Sequence, residues 1–193
     1  MVIAKTGEGR ADTDNFCVPI ESEGLEFKME RWNGIGLRGN VSCPMYMDNM
    51  ELDEMYRTGD NNSGMEQILT LVAPLFIQGL ASVYSGLNVA ISNEAIMHAT
   101  DRTFPDGSKL SEVDTIKHHL STIYNNAFAG VSATREAALA ARRGDEDALP
   151  KILSARVIAI ENVTESGKLG MQVGGGRAYS QFRNFAHYFA DAL

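Results

Sequence analysis

Three consecutive glycines, Gly174-Gly175-Gly176, stand between Gln172-Val173 and Arg177-Ala178-Tyr179 in a chain of 193 residues. A glycine run lets backbone approach a ligand closely, so it is the first candidate for chemistry. It lacks the spacing of a dinucleotide fingerprint or a phosphate loop, and it follows a helical pattern rather than a strand. A helix C-terminus also presents the negative end of the dipole, the wrong end for phosphate. On these residues alone, a flexible glycine-rich corner between two helices explains the run better than a ligand site does. The histidines build no metal centre. His118 and His119 are adjacent, so on a helix they point about 100° apart and cannot both face one small ion. His98 and Arg102 are one helical turn apart, and His187 falls on a helix surface. Cys17 and Cys43 show neither metal spacing nor a disulfide framework, which fits a reducing interior.

The elements that must position these residues differ between the two parts of the chain. Residues 1–58 read as β-structure, with strands expected at 2–6, 16–20, 25–29 and 41–47. In the third, Leu25, Phe27 and Met29 alternate with Glu26 and Lys28, the period of a half-buried strand. Asp12-Thr13-Asp14-Asn15 and Glu21-Ser22-Glu23-Gly24 supply turn chemistry. The polar breaker Gly59-Asp60-Asn61-Asn62-Ser63-Gly64 separates this partial β-domain (1–58) from a helical domain (64–193).

Four helices are expected in the second part. One runs over 65–103 and is bent or restarted near Pro74. Ser111 caps the next, where Val113, Ile116, Leu120, Ile123, Ala127 and Val131 fall at steps of three and four. Arg142 and Arg143 suit its last turn, and Gly144 stands where a left-handed C-terminal glycine belongs. Asp145 or Asp147 opens the third helix, which continues to about Val173 with Pro150 in its first turn. Tyr179, Phe182, Phe185, Phe189 and Leu193 form one face of a fourth. The fold class is therefore α+β: a partial sheet or barrel-like unit followed by an up-down four-helix bundle.

Composition narrows the function classes. The net charge is −8; residues 1–60 hold 6 basic and 12 acidic side chains, against 11 and 13 in residues 61–193. No basic stripe emerges, which argues against a nucleic-acid groove. Residues 67–93 carry no charge and have the length of a membrane span. Gln78, Ser82, Ser85 and Asn88 interrupt that stretch and it has no basic flank, so the expectation is a helix buried on all sides, in a bundle or at a subunit contact, with no membrane partner. With no secretory signal pattern at Met1-Val2-Ile3-Ala4-Lys5-Thr6, a cytoplasmic protein is expected.

The letters around the glycines carry more than the glycines do. The segment from Gln172 to Tyr179 resembles the Q-x-x-G-G-x-G-Y segment of acyl-CoA dehydrogenases, and Asp191-Ala192 falls where those proteins have Arg-Asp-Ala. Arg102-Thr103-Phe104 followed by Gly107 resembles a loosened R-x-x-F-G. Trp32-Asn33-Gly34-Ile35-Gly36-Leu37-Arg38-Gly39 is similar to their W-x-x-L-G-L-R-G, and Phe16-Cys17-Val18-Pro19-Ile20 with Gly24-Leu25 fits the strand pair before it. These segments occur in the family's order over nearly the whole chain. The sequence departs from the pattern too: Ala190 replaces an arginine, and no Lys or Arg lies between Met65 and Arg102.

The resemblance implies a flavoprotein in which FAD lies between the β-domain and the bundles of neighbouring subunits. Arg102 would face the FAD pyrophosphate, Phe104 the adenosine half, and Gln172, Gly175 and Gly176 the adenine end. It implies acyl-CoA as substrate, α,β-desaturation as reaction, an electron-transfer flavoprotein as acceptor, and a dimer or tetramer built through the bundle. It also implies that this chain is a fragment or split subunit, inactive alone. The flavin-ring strand and the glutamate base would then lie on a complementary chain or segment, leaving the catalytic residue unassigned. Two other readings stand beside it: a non-catalytic oligomerisation module, and a relative of flavin monooxygenases of the same superfamily.

Overall fold

The computed structural model describes residues 1–193, which divide into two compact units: Met1–Gly34 with Arg38–Leu75, and Ile35–Leu37 with Phe76–Leu193.

The first unit holds two small antiparallel sheets. Strand β2 (Thr13–Phe16) is central, flanked by β1 (Val2–Lys5) and β5 (Arg57–Thr58), with Val2 opposite Phe16 and Asn15 opposite Thr58. Strand β3 (Leu25–Phe27) pairs with β4 (Met45–Met47), Glu26 opposite Tyr46. The reading of Asp12-Thr13-Asp14-Asn15 as a turn is corrected: Thr13, Asp14 and Asn15 are buried inside β2. Their polar groups have partners that the local sequence does not announce. Asn15 Nδ2 donates to the Gly64 carbonyl (3.1 Å), and the Asn62 N–H donates to Asp14 Oδ1 (2.6 Å). A second carboxylate oxygen of Asp14 lies 3.7 Å from Arg57. These partners offset much of the cost of burying a polar strand, although Asn15 Oδ1 is left without one. The half-buried face expected of Leu25, Phe27 and Met29 is only partly formed. β3 stops at Phe27, and Met29 enters a short 3-10 turn (Met29–Arg31).

The helical part begins with α1 (Gly64–Gln67), which passes through one wide π-helical turn (Ile68–Val72) into α2 (Ala73–Asp101). The turn lies directly before Pro74. The Ala73 N–H reaches five residues back to the Ile68 carbonyl, so the ladder absorbs the missing proline N–H without a break. Helix α3 (Asp114–Arg143) ends on Gly144 at φ 73°, as expected, and α4 (Ala148–Gly174) returns antiparallel after a four-residue connection. The start of α3 differs from the expectation. A 3-10 turn (Leu110–Glu112) precedes it and Val113, not Ser111, is its N-terminal flanking residue. The fourth helix is also shorter than expected. Gly175–Tyr179 forms a 3-10 turn, and α5 spans only Phe185–Ala192. Tyr179 and Phe182 stand exposed outside it, because three glycines cannot hold a helix across the corner.

The bundle core is rich in small residues. Ala81, Ala137, Ala155 and Ala159 with Ile152 form one cluster; Ile91, Ala95, Ala99, Ile123, Val163, Val173, Ala178 and Phe185 belong to another. Alanine at the contacts lets helix backbones approach closely. Gln78 Nε2 donates to the Thr134 carbonyl (2.9 Å), and the Ser85 and Thr134 hydroxyls are hydrogen-bonded (2.9 Å). These bonds account for Gln78 and Ser85 among the polar interruptions in the uncharged stretch, while Asn88 is buried with neither side-chain atom hydrogen-bonded. Within a single chain this helix is not buried on all sides, which leaves a subunit contact as the form of that expectation. Gly64–Asp101 meets the length and composition of a membrane span, yet only 11% of its most apolar window is buried. Phe76, Val83 and Val89 face outward, since one chain supplies neighbours for one face only.

Candidate functional site

The candidate site is built at one end of the bundle, where α2 stops and the corner after α4 begins. Glu94 and His98 share one face of α2, and Arg102, the residue just past its end, continues the same four-residue spacing with its N–H donating to the His98 carbonyl (3.2 Å). Beyond Asp101 the chain makes a tight hairpin. Phe104 N–H donates to the Ser108 carbonyl (2.8 Å), and Leu110 N–H to the Arg102 carbonyl (3.0 Å). Gly107 turns it at φ 87°, and Asp106 accepts from the Ser108 N–H and hydroxyl, which holds its carboxyl below the usual carboxylate range. The hairpin fixes Phe104 partly buried against the core, with the Arg102 guanidinium 5.7 Å from its ring centroid. That is a cation–π distance, and it leaves the N–H edges of Arg102 free.

The three glycines serve different ends. A Cβ on Gly174 would lie 2.8 Å from both the Ala178 Cβ and Phe185 Cδ2, so packing alone demands glycine there. Gly175 adopts φ 54°, and neither it nor Gly176 has any atom within 4 Å of where a Cβ would stand. Those two are open backbone, next to Gln172, which is exposed on the last turns of α4. The turn carries Arg177 outward while Ala178 is buried beneath it.

Between these two features lies His98. It is 1% exposed, packed edge-on against Phe185 (centroids 5.6 Å, 86°), and neither ring nitrogen has a hydrogen-bond partner. Burial, followed by the guanidinium groups of Arg183, Arg102 and Arg177, pushes its pKa below the ordinary value of 6.5, while Glu94 opposes them. Glu94 is itself buried and is paired with Arg183 Nη1 at 3.4 Å. His98 is thus held neutral at pH 7. Sequence reasoning placed His98 and Arg102 one turn apart but missed Glu94 and Arg183. The four-residue repeat was a signal for Glu94; nothing local marks Arg183, whose partner lies 89 residues away.

A second long-range feature joins two sequence segments. Leu37 donates its N–H to Asp191 Oδ1 (2.6 Å), and a Cβ on Gly36 would collide with the Ala190 carbonyl oxygen. Asp191 Oδ2 also lies 3.4 Å from His187 Nε2. No group of three His, Cys, Asp or Glu side chains is placed to hold a metal ion, and His118 and His119 have ring centroids 6.2 Å apart.

No protein-family model matches the chain, and no curated protein matches it in sequence. Solved structures do match in fold. A probable acyl-CoA dehydrogenase from Mycobacterium abscessus aligns at TM-score 0.89 and 18% identity, over 98% of this chain and 50% of that one. Butyryl-CoA dehydrogenase from Megasphaera elsdenii aligns at TM-score 0.89 and 17% identity, over 98% and 49%. PigA, solved with FAD and proline, aligns at TM-score 0.84 and 16% identity, over 98% and 49%. The chain spans about half the length of these structures and has the fold of that half: a small β-unit followed by the helical bundle of acyl-CoA dehydrogenases.

Proposed function

We propose that the chain is part of an FAD-dependent, acyl-CoA dehydrogenase-like oxidoreductase and supplies the surface that holds the adenosine-diphosphate end of the flavin. The observation that carries this reading is the exposed guanidinium of Arg102 above Phe104, in a chain that also has open backbone at Gly175 and Gly176 and the fold of structures that include dehydrogenases and an FAD-bound relative. The residues present fit that end of the group. Arg102 offers a planar donor fork for phosphate oxygens. Phe104 offers a flat apolar face, and the two glycines offer backbone that a larger group can touch. Gln172 stands beside them with an amide to donate and accept. When bound, FAD supplies the hydride acceptor for α,β-desaturation of an acyl thioester. This chain's residues bind and orient; none is assigned the role of base. The flavin-ring cradle and the base are assigned to a complementary segment or chain, consistent with coverage of about half of each matched structure. An electron-transfer flavoprotein is the proposed acceptor. The chain alone is expected to lack dehydrogenase activity.

The test is the visible absorption spectrum of the purified protein incubated with FAD, before and after gel filtration. Co-eluting flavin that is lost in Arg102→Ala supports the reading. Flavin that elutes apart from the wild-type protein, with the chain folded, sinks it.

A second reading rests on a different observation. Phe76, Val83 and Val89 on α2 and Tyr124, Phe128 and Val131 on α3 are exposed apolar side chains. Apolar surface of this extent is a feature of subunit contacts. On this reading the bundle assembles copies of the chain into a dimer or tetramer, with or without cofactor chemistry.

A further inference from the structure

Helix α5 covers only part of α4. Glycines of α4 seat it: a Cβ on Gly167 would lie 3.1 Å from Phe189 Cδ2, and one on Gly170 3.6 Å from Phe185 Cδ1. At the far end of α5, Thr164 Oγ1 donates to the Ala192 carbonyl (3.2 Å). The 8 residues of α5 span about 12 Å, whereas the 27 of α4 span about 40 Å. The first half of α4 therefore lacks a neighbour on this side. There Leu149, Leu153 and Val157, at steps of four, are 48%, 46% and 52% exposed, while Ile152, Ala155 and Ala159 are buried in the bundle. At 100° per residue the three exposed side chains fall in an arc of about 80°. The same arc contains Ile160, Thr164 and Gly167, the last two in contact with α5. An apolar ridge thus runs in line with α5. Beside the last turn of α5 it gives way to an open groove of about 680 Å³, floored by Ile160, Thr164, Phe189 and Leu193, with the exposed Glu161 and Glu165 at its rim. One helix carries a ridge on its first half and a groove on its second, both on one side.

We propose that a second copy of this chain covers that surface, through an antiparallel contact between the two α4 helices whose two-fold axis passes near Val157. Such an axis lays the first half of one α4 on the second half of the other. Leu149 and Leu153 of each copy then enter the groove of its partner. Charge supports the same arrangement. Glu146 and Lys168 are exposed, stand eleven residues before and after Val157, and neither joins a salt bridge within the chain. The axis brings each Glu146 to the Lys168 of the other copy, an ion pair at either end of the contact. A parallel arrangement would set Glu146 against Glu146 and ridge against ridge. An unrelated helix would explain the ridge or the groove, whereas a second copy uses both at once. The proposal rests on the reading that copies of the chain assemble, and it gives that assembly a face on α4 and α5, separate from the apolar side chains of α2 and α3.

The experiment is sedimentation equilibrium of the full chain carrying Phe128→Glu, which takes the α2–α3 groove out of play. A dimer is expected to remain. Adding Leu153→Glu puts an unpaired carboxylate into an apolar contact twice per dimer and is expected to raise the dissociation constant at least about a hundredfold. Lys168→Glu is expected to raise it roughly tenfold, because the axis turns two attractions into repulsions. Adding Glu146→Lys to Lys168→Glu restores the pairs with their signs exchanged and should recover the dimer, an outcome that a folding defect would not give. Val157→Cys, at the axis, should form a covalent dimer on mild oxidation, above the background from Cys17 and Cys43 in the parent chain. A Phe128→Glu chain that is monomeric overturns the contact, as does a dimer that Leu153→Glu leaves intact. Failure of Glu146→Lys to rescue Lys168→Glu, with circular dichroism unchanged, overturns it too. The two assembly readings separate. An oligomer abolished by Phe128→Glu alone keeps the α2–α3 contact and removes this one, and an oligomer that only Leu153→Glu dissociates does the reverse.

Discussion

The backbone N–H of Leu37 donates to the Asp191 carboxylate at 2.6 Å, across 154 residues of sequence. Leu37 sits at φ 50°, a left-handed conformation that leucine seldom adopts, so this charge-assisted bond holds a strained backbone in place. Asp191→Ala removes the acceptor and is expected to cost about 2 kcal/mol of stability, read from urea unfolding. Asp191→Asn keeps an acceptor oxygen without the charge and should lose about half as much. Amide hydrogen exchange at Leu37 should quicken in both. Equal stability of all three proteins would show that the bond carries no weight.

The glycine run separates fold from function. Gly174→Ala places a methyl 2.8 Å from Ala178 and Phe185 and is expected to destabilise the chain by about 2 kcal/mol through overpacking. Gly176→Ala meets nothing within 4 Å and should change stability by less than about 0.5 kcal/mol. If Gly176 is backbone kept open for a nucleotide, the same substitution weakens FAD retention in gel filtration. A Gly176→Ala protein that keeps both stability and flavin affinity would reduce the residue to a loop spacer.

His98 makes stability depend on pH in a definite direction. Its folded pKa lies below the ordinary 6.5 because burial, Arg183, Arg102 and Arg177 outweigh Glu94. The unfolded chain therefore binds the proton more readily than the folded one. The stabilisation is complete above about pH 6.5 and declines as pH falls from 6.5 toward the folded pKa. Thermal melting from pH 8 to 5 should show a falling midpoint in the wild type and a flatter one in His98→Phe, which keeps the ring against Phe185. Because both imidazole nitrogens lack partners, His98→Phe is expected to be no less stable at pH 8. Parallel pH profiles would remove His98 from the account.

The helix order, the end of α3 at Gly144 and the α4 boundaries were legible in the sequence, because they follow from local rules: period, capping and left-handed glycine. Strand β2 was not. Thr13, Asp14 and Asn15 look like a turn until Asn62 and Arg57 are known to meet Asp14, and Gly64 to meet the Asn15 amide. The same limit applies to the site. Arg102, Phe104, Gln172, Gly175 and Gly176 could be named from motif letters, and Glu94 and His98 share a helix face with Arg102. Arg183 has no local pattern, since its partner is fixed only when the corner after α4 folds back on α2. Exposure is the third case. Hydropathy said that α2 must be covered, but one chain covers one side.

That uncovered side gives the last prediction. Val89, Ile96, Tyr124, Phe128 and Val131 line a shallow apolar groove between α2 and α3. Phe128 is 67% exposed, so Phe128→Glu costs the single chain little stability, less than about 0.5 kcal/mol. In an assembly that buries this groove, the same substitution places a carboxylate in an apolar contact without a partner, a cost of several kcal/mol. Light scattering coupled to gel filtration should therefore show an oligomer for the wild type and a smaller species for Phe128→Glu at equal concentration. A monomeric wild type would mean that the groove is not a contact between copies. An oligomer unaffected by Phe128→Glu would move the contact to the outward face of α2 near Phe76 and Val83.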